Sequence, residues 1–251
     1  MVFKKLSFYG DSLMIPRPGW VTPEERHPRL LELWLRQKAP DIGWEVLQRA
    51  RGSHTITEIV RWTACDEGYY AEVEGGIAVI HAGIVDGAPR PINSRMREMV
   101  GRLPGALKKM AISFLHHQRS RILRANMGSV ITPLNRFQKS VRTILGRVTK
   151  THDHVFVITI CPTNAVTEIR SPGLTRNIIA YNDVWVRSVA EQDANIQIID
   201  AHAFISAQPD IDLWVIKEDG HHITAATHSW IAQEIIRLLE QRWQRGGSPP
   251  P

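Results

Sequence analysis

Short apolar runs alternate with helix-length amphipathic segments along this chain, and that order restricts its fold more than any other feature. Residues 2–9, 44–50, 77–81, 155–160 and 196–199 read as strands. The run at 155–160 is rich in β-branched residues, as expected of a strand buried on both faces. Helical patterns fill residues 23–37, 55–63, 93–124, 133–147, 174–191 and 225–241, with a break expected at Pro104-Gly105. In the first of these, Leu30, Leu31, Trp34 and Leu35 share a face, and Thr22-Pro23-Glu24-Glu25 is a good helix start. Alternation of this kind calls for a parallel sheet with helices on both faces and right-handed crossovers. One domain over residues 1–245 is expected, with a disordered tail at 246–251.

The segment at about 91–150 is longer than a crossover needs and predicts a helical insertion after the third strand, beside the ligand-binding edge of the sheet. Its charge is one-sided. Residues 99–150 contain no Asp or Glu but carry Arg102, Lys108, Lys109, Arg119, Arg121, Arg124 and further basic residues, within a net charge of +6. Such a field attracts anions, although a solvated helical face explains it equally well. The basic segment lacks regular aromatic interleaving, which argues against nucleic acid as its partner.

Other classes are disfavoured. No apolar run approaches a membrane span, and the N-terminal residues lack a secretory pattern, so a cytoplasmic protein is expected. Cys65 and Cys161 are too few for a disulfide framework and read as reduced thiols. His152-Asp153-His154 and His116-His117 do not make a complete ligand set, so no metal is expected. No phosphate loop or dinucleotide fingerprint is present, and no cofactor is expected. Oligomeric state is not legible.

The chemistry-bearing residues lie near the two ends of the chain. Gly10-Asp11-Ser12-Leu13 follows the first strand, where open α/β sheets place ligands, and Asp219-x-x-His222 precedes the last helix. A serine hydroxyl is barely ionised at neutral pH and needs an imidazole to remove its proton. The resulting imidazolium needs a fixed anion on its other nitrogen. Taken singly, each residue has a plainer use: Ser12 as a helix cap, Asp219-Gly220 as a turn, His222 as a surface residue.

Together with Gly52 and Gly83-Ile84-Val85-Asp86, these blocks resemble the SGNH, or GDSL, hydrolase superfamily in order and spacing. The resemblance implies a three-layer α/β/α flavodoxin-like fold with a five-stranded parallel sheet. It implies Ser12 as nucleophile, His222 as general base and acid, and Asp219 as the carboxylate orienting His222. His221 is expected to point away or to contact substrate. Ser12 and Gly52 match two backbone donors of the family's oxyanion hole.

The third donor, an asparagine amide, is replaced by Val85, and His54, Asn93 and Asn164 are the candidate substitutes. Asp11, His54, Asp86 and Arg90 complete the expected oxyanion and substrate-binding set. Arg90 is a candidate clamp for a carboxylate or phosphate. The implied activity is esterase chemistry through an acyl-Ser12 intermediate, on a small-molecule or carrier-linked ester that includes anionic ones. The alternatives are an acyltransferase using an anionic acyl donor and a non-catalytic binding module with a degenerate oxyanion hole.

Overall fold

The central strands are those with no solvent-facing side. β1 (Val2–Gly10) is buried from Lys4 onward, β3 (Gly76–His81) is buried throughout, and β4 (His154–Ile158) is buried after its first residue. With β2 (Ile42–Ala50) and β5 (Ile196–Ile199) they form one five-stranded sheet, ordered β2-β1-β3-β4-β5, in which every pairing is parallel. The computed structural model describes residues 2–73, 75–125, 129–192 and 195–246. The expected disordered tail lies outside them, except for Gly246.

Helices cover both faces of the sheet. α1 (His27–Lys38) packs with α11 (Ala225–Gly246), while α2 (Ile56–Tyr69), α7 (Leu134–Thr151) and α9 (Leu174–Ala190) pack side by side. Stacking of Trp34 on Trp243, with ring centroids 5.3 Å apart, joins the first pair. Phe137 meets Tyr181 and Trp185 between α7 and α9, at 4.6 and 5.9 Å. This is the three-layer arrangement expected.

The order reverses direction at β1 and β3, and the crevice at their carboxyl ends is where such sheets bind ligands. Gly10 closes β1 there because a Cβ would collide with Met14 Sδ and the His81 carbonyl. The chain then turns into a short 3-10 helix, Ser12–Met14.

The basic segment divides differently from expectation. α4 (Ser94–Gly101), α5 (Gly105–His117) and α6 (Arg119–Arg124) form the extra lobe, with Pro104 standing at the N-terminus of α5 as anticipated. α7 belongs instead to the core layer: Phe137, Val141, Ile144, Leu145 and Val148 form its buried stripe. Three short helices were not foreseen: α3 (Ile84–Gly87), α8 (Ala165–Arg170) and α10 (Ala201–Ser206). Each is under two turns long, too short for helical periodicity to register.

Candidate active site

Ser12 and His222 meet at the crevice although 210 positions separate them: Ser12 Oγ lies 2.9 Å from His222 Nε2. The opposite ring nitrogen, Nδ1, is 2.8 Å from Asp219 Oδ2, and the backbone N–H groups of His221 and His222 donate to Asp219 Oδ1 at 3.1 and 3.0 Å. Partial burial pushes the Asp219 carboxyl up. The bonds from His222 and His221 outweigh that and hold it well below the usual carboxylate range. Burial lowers the His222 imidazole; Asp219 opposes the shift, while the neighbouring His221 and Arg17 reinforce it.

The loop carrying Asp219 and His222 is tied down from several sides. Ile216 N–H donates to the His222 carbonyl and Gly220 N–H to the Ile216 carbonyl, both at 2.7 Å. Gly220 has φ +72°, and a Cβ there would strike the side chains of Thr167 and Asn164. Those two residues brace the loop. Asn164 N–H donates to Gly220 O at 3.0 Å, its Nδ2 to Lys217 O at 3.1 Å, and Thr167 Oγ1 to Asp219 O at 3.1 Å. Neither residue was foreseen as a brace, and no local pattern announces it.

A cavity of about 440 Å³ opens over the Ser12–His222 pair. Gly52, Ser53, Val85, Arg90, Arg119, Thr167, Ser171 and His221 line it, together with Arg17 and the apolar Ile15, Ile84, Ala88 and Leu174. No carboxylate lines it among the described residues. Arg17 Nη2 abuts His222 Nε2, so a guanidinium stands beside the Ser12–His222 pair. Ser53 adopts φ +64°, a left-handed conformation uncommon for a residue with a Cβ, in the loop that brings Gly52 to the cavity.

Several expected contacts are not made. Asp11 and Asp86 are fully buried and face the protein. Asp11 accepts from the backbone N–H groups of Leu13 at 3.0 Å and Gly83 at 3.3 Å, fixing the serine turn to the third-strand loop. Asp86 accepts from Ile56 N–H at 2.9 Å and from Thr132 Oγ1 at 2.5 Å, holding the start of α2. Burial pushes Asp11 up to about 7 and Asp86 up to about 6. Both are engaged by protein groups, and neither lines the cavity over Ser12.

The three proposed substitutes for the missing asparagine do not line the cavity either. His54 is buried and set back from it, Asn93 caps α4 through Met96 N–H at 2.9 Å, and Asn164 is occupied in the loop brace. Val85 does line it, and contributes an apolar side chain. Arg90 lines the cavity as expected. His221 lines it too, and its Nδ1 lies 2.9 Å from the Asp219 carbonyl.

Asp219, His221 and His222 bring a carboxylate oxygen and two imidazole nitrogens within 4.8 Å of one another, a donor set able to hold a metal. The Asp219 oxygens and His222 nitrogens among them are already engaged in the bonds just described. A larger cavity, about 590 Å³, opens at the amino end of the sheet, where His152 lies 2.8 Å from Ser7. Ser7 is wholly buried and does not line it, and the other nitrogen of His152 lies 2.9 Å from Thr151 Oγ1 and 3.2 Å from the Val148 carbonyl, with no hydrogen bond to a carboxylate among the described residues.

No family model matches this chain, and no curated protein matches its sequence. Solved structures do match in fold. A lipase/acylhydrolase from Enterococcus faecalis superposes with a TM-score of 0.61 at 15% identity, covering 95% of this chain and 96% of that one. LAE5, an alpha/beta hydrolase enzyme from the metagenome of Lake Arreo in Spain, gives 0.58 at 13% identity over 93% and 94%. Axe2, an acetylxylan esterase from Geobacillus stearothermophilus, gives 0.57 at 17% identity over 93% of each chain. At these identities the likeness establishes the fold alone. Among the described residues, no helix is long and apolar enough to cross a membrane.

Proposed function

We propose that the protein is a serine esterase that cleaves an oxygen ester through an acyl-Ser12 intermediate. The observation carrying this reading is the unbroken line from Asp219 through His222 to Ser12, with links of 2.8 and 2.9 Å, opening onto a cavity. The related folds add support: two variants of Axe2, one losing a serine and one an aspartate, are described as catalytic mutants.

In this mechanism His222 Nε2 takes the Ser12 proton as Oγ attacks the ester carbonyl. Asp219 remains ionised, accepts the Nδ1–H bond and stabilises the imidazolium without itself taking the proton. His222 then protonates the departing alkoxide. Water, deprotonated by the same nitrogen, releases the acid and restores Ser12. The developing oxyanion is met by backbone N–H groups of Ser12 and Gly52. Arg17 supplies the donor that Val85 cannot, because its guanidinium is the charged group that abuts the reacting pair.

Hydrolysis of p-nitrophenyl acetate tests this reading. Ser12→Ala and His222→Ala are expected to lower kcat by at least about 10³-fold, and Asp219→Asn by a similar order. Wild-type turnover no faster than that of Ser12→Ala would overturn it. Product analysis with added alcohols separates water from an alcohol as acyl acceptor, which decides between esterase and acyltransferase.

A further inference from the structure

Arg90 and Arg119 line two hollows at once. On one side is the cavity over Ser12. On the other is a groove of about 340 Å³ between α4 and α5, whose walls are largely apolar through Ile92, Val100, Ile112 and Leu115. Arg97 and Lys108 also line this groove, so its charge is of one sign. Among the described residues, none of these four cations forms an ion pair with a carboxylate.

The two shared arginines are held differently. Arg119 is fixed in place: its Nε donates to Ser171 Oγ at 3.1 Å and its Nη2 to the Pro89 carbonyl at 2.6 Å. Arg90 is anchored by its backbone, which exchanges bonds with Ser129 at 2.7 and 2.9 Å, while its buried Nε has no partner. Burial and the nearby positive charges of Arg119 and Arg97 both disfavour the charged form of Arg90. A guanidinium with an unspent buried donor beside a second guanidinium is relieved by an anion that accepts from both.

We propose that Arg90 and Arg119 form an anion subsite dividing an amphiphilic substrate, with the scissile ester on the Ser12 side, a carboxylate or phosphate at the arginines, and an apolar chain in the α4–α5 groove. The ester portion rests on the esterase reading above; the anion and chain portions do not. A neutral ester of the same length would leave the two charges facing each other without a counterion, and a short anion would leave the groove empty.

Calorimetric titration of Ser12→Ala protein tests the subsite without any turnover. Octyl phosphate, octanoate, octanol and inorganic phosphate are the probes. Octyl phosphate or octanoate is expected to bind at least about tenfold tighter than both octanol and inorganic phosphate, since ionic and apolar contacts add. Whichever of the two binds tighter identifies the headgroup.

Introducing Arg90→Gln should weaken that ligand by about tenfold, and raising ionic strength should weaken it further. Should Arg90→Gln fail to fold, Ile112→Gln on the half-exposed groove wall should weaken octyl phosphate while leaving inorganic phosphate unchanged. Octanol binding as tightly as both charged probes would overturn the proposal, as would inorganic phosphate matching octyl phosphate. Success here with failed ester hydrolysis would leave a binding site without the esterase, and the reverse would leave an esterase without this subsite.

Discussion

Asn164 donates its backbone N–H to the carbonyl of Gly220 at 3.0 Å, tying the start of α8 to the loop that presents Asp219 and His222. Its side chain adds bonds to Lys217 O and accepts from Thr167 N–H at 3.1 Å. Asn164→Ala keeps the backbone link but removes the side-chain ones, costing about 1–3 kcal/mol of stability if the carbonyl is left unsatisfied. We expect a lower Tm and a kcat reduced by about tenfold with KM changed less, since catalysis depends on geometry finer than binding does. A kcat equal to wild type would show that the loop holds its shape unaided.

The pH dependence of kcat/KM should follow His222. Burial, His221 and Arg17 hold its imidazole below the ordinary histidine value, and it must be neutral to act as base. Activity therefore rises with pH through a midpoint below about 6.5 and is level at pH 7 and above. Removing the adjacent positive charge in Arg17→Gln should move that midpoint upward. A midpoint unchanged or lowered in the variant would contradict the contact between Arg17 and His222.

Arg17 and Val85 should also be coupled. Losing one oxyanion donor costs about 2.7–4 kcal/mol in a serine hydrolase, so Arg17→Gln should lower kcat by about 10²–10³-fold. If the guanidinium has replaced the family's amide, Val85→Asn in that background should restore about tenfold or more, while in wild-type protein it should do less. Equal effects of Val85→Asn in both backgrounds would separate the two residues.

Acid should unfold the protein by protonating its buried imidazoles. His27, His81 and His228 are packed together, with His27 Nδ1 2.7 Å from His228 Nδ1, and all three are essentially inaccessible to solvent. Burial lowers His81 and His228 to about 3, and His152 and His154 to about 4, while His27 is held well below its ordinary value. Each folded value lies below the unfolded one near 6.5. The stability linked to each is therefore complete above that pH and is lost as pH falls toward 3–4, at about 1.4 kcal/mol per pH unit while both states differ by a proton.

Asp11 and Asp86 oppose this trend. Their folded values of about 7 and 6 mean that the contribution they make is present below about 4 and lost as pH rises through those values. Five histidines outweigh two carboxylates, so chemical denaturation should show stability increasing from pH 4 to 6. Stability flat or falling over that interval would contradict the burial argument.

Much of this was legible before any coordinates, for identifiable reasons. The strands were readable because apolar, β-branched-rich runs such as 155–158 are buried on both faces, and Ser12, Asp219 and His222 stood out because the ordered blocks that bear them resemble those of a known superfamily. Arg90 was readable as a charge placed at a strand-proximal loop. Asp11 and Asp86 do not line the cavity as expected, because sequence does not distinguish a carboxylate facing a cavity from one facing backbone N–H groups. The Asn164 and Thr167 brace was invisible because it joins residues 52 or more positions apart. α7 was grouped with the insertion because the whole segment is longer than a crossover needs, although its Phe137, Val141, Ile144 and Val148 spacing is that of a core helix.

Reaction with a fluorophosphonate probe, read by intact mass and peptide mapping, tests the activation of Ser12 most directly. Wild-type protein should gain one adduct, located on Ser12, and His222→Ala should gain it at least about 10²-fold more slowly. Folded wild-type protein that remains unmodified, or that is modified on Ser12 equally fast in His222→Ala, would contradict the account.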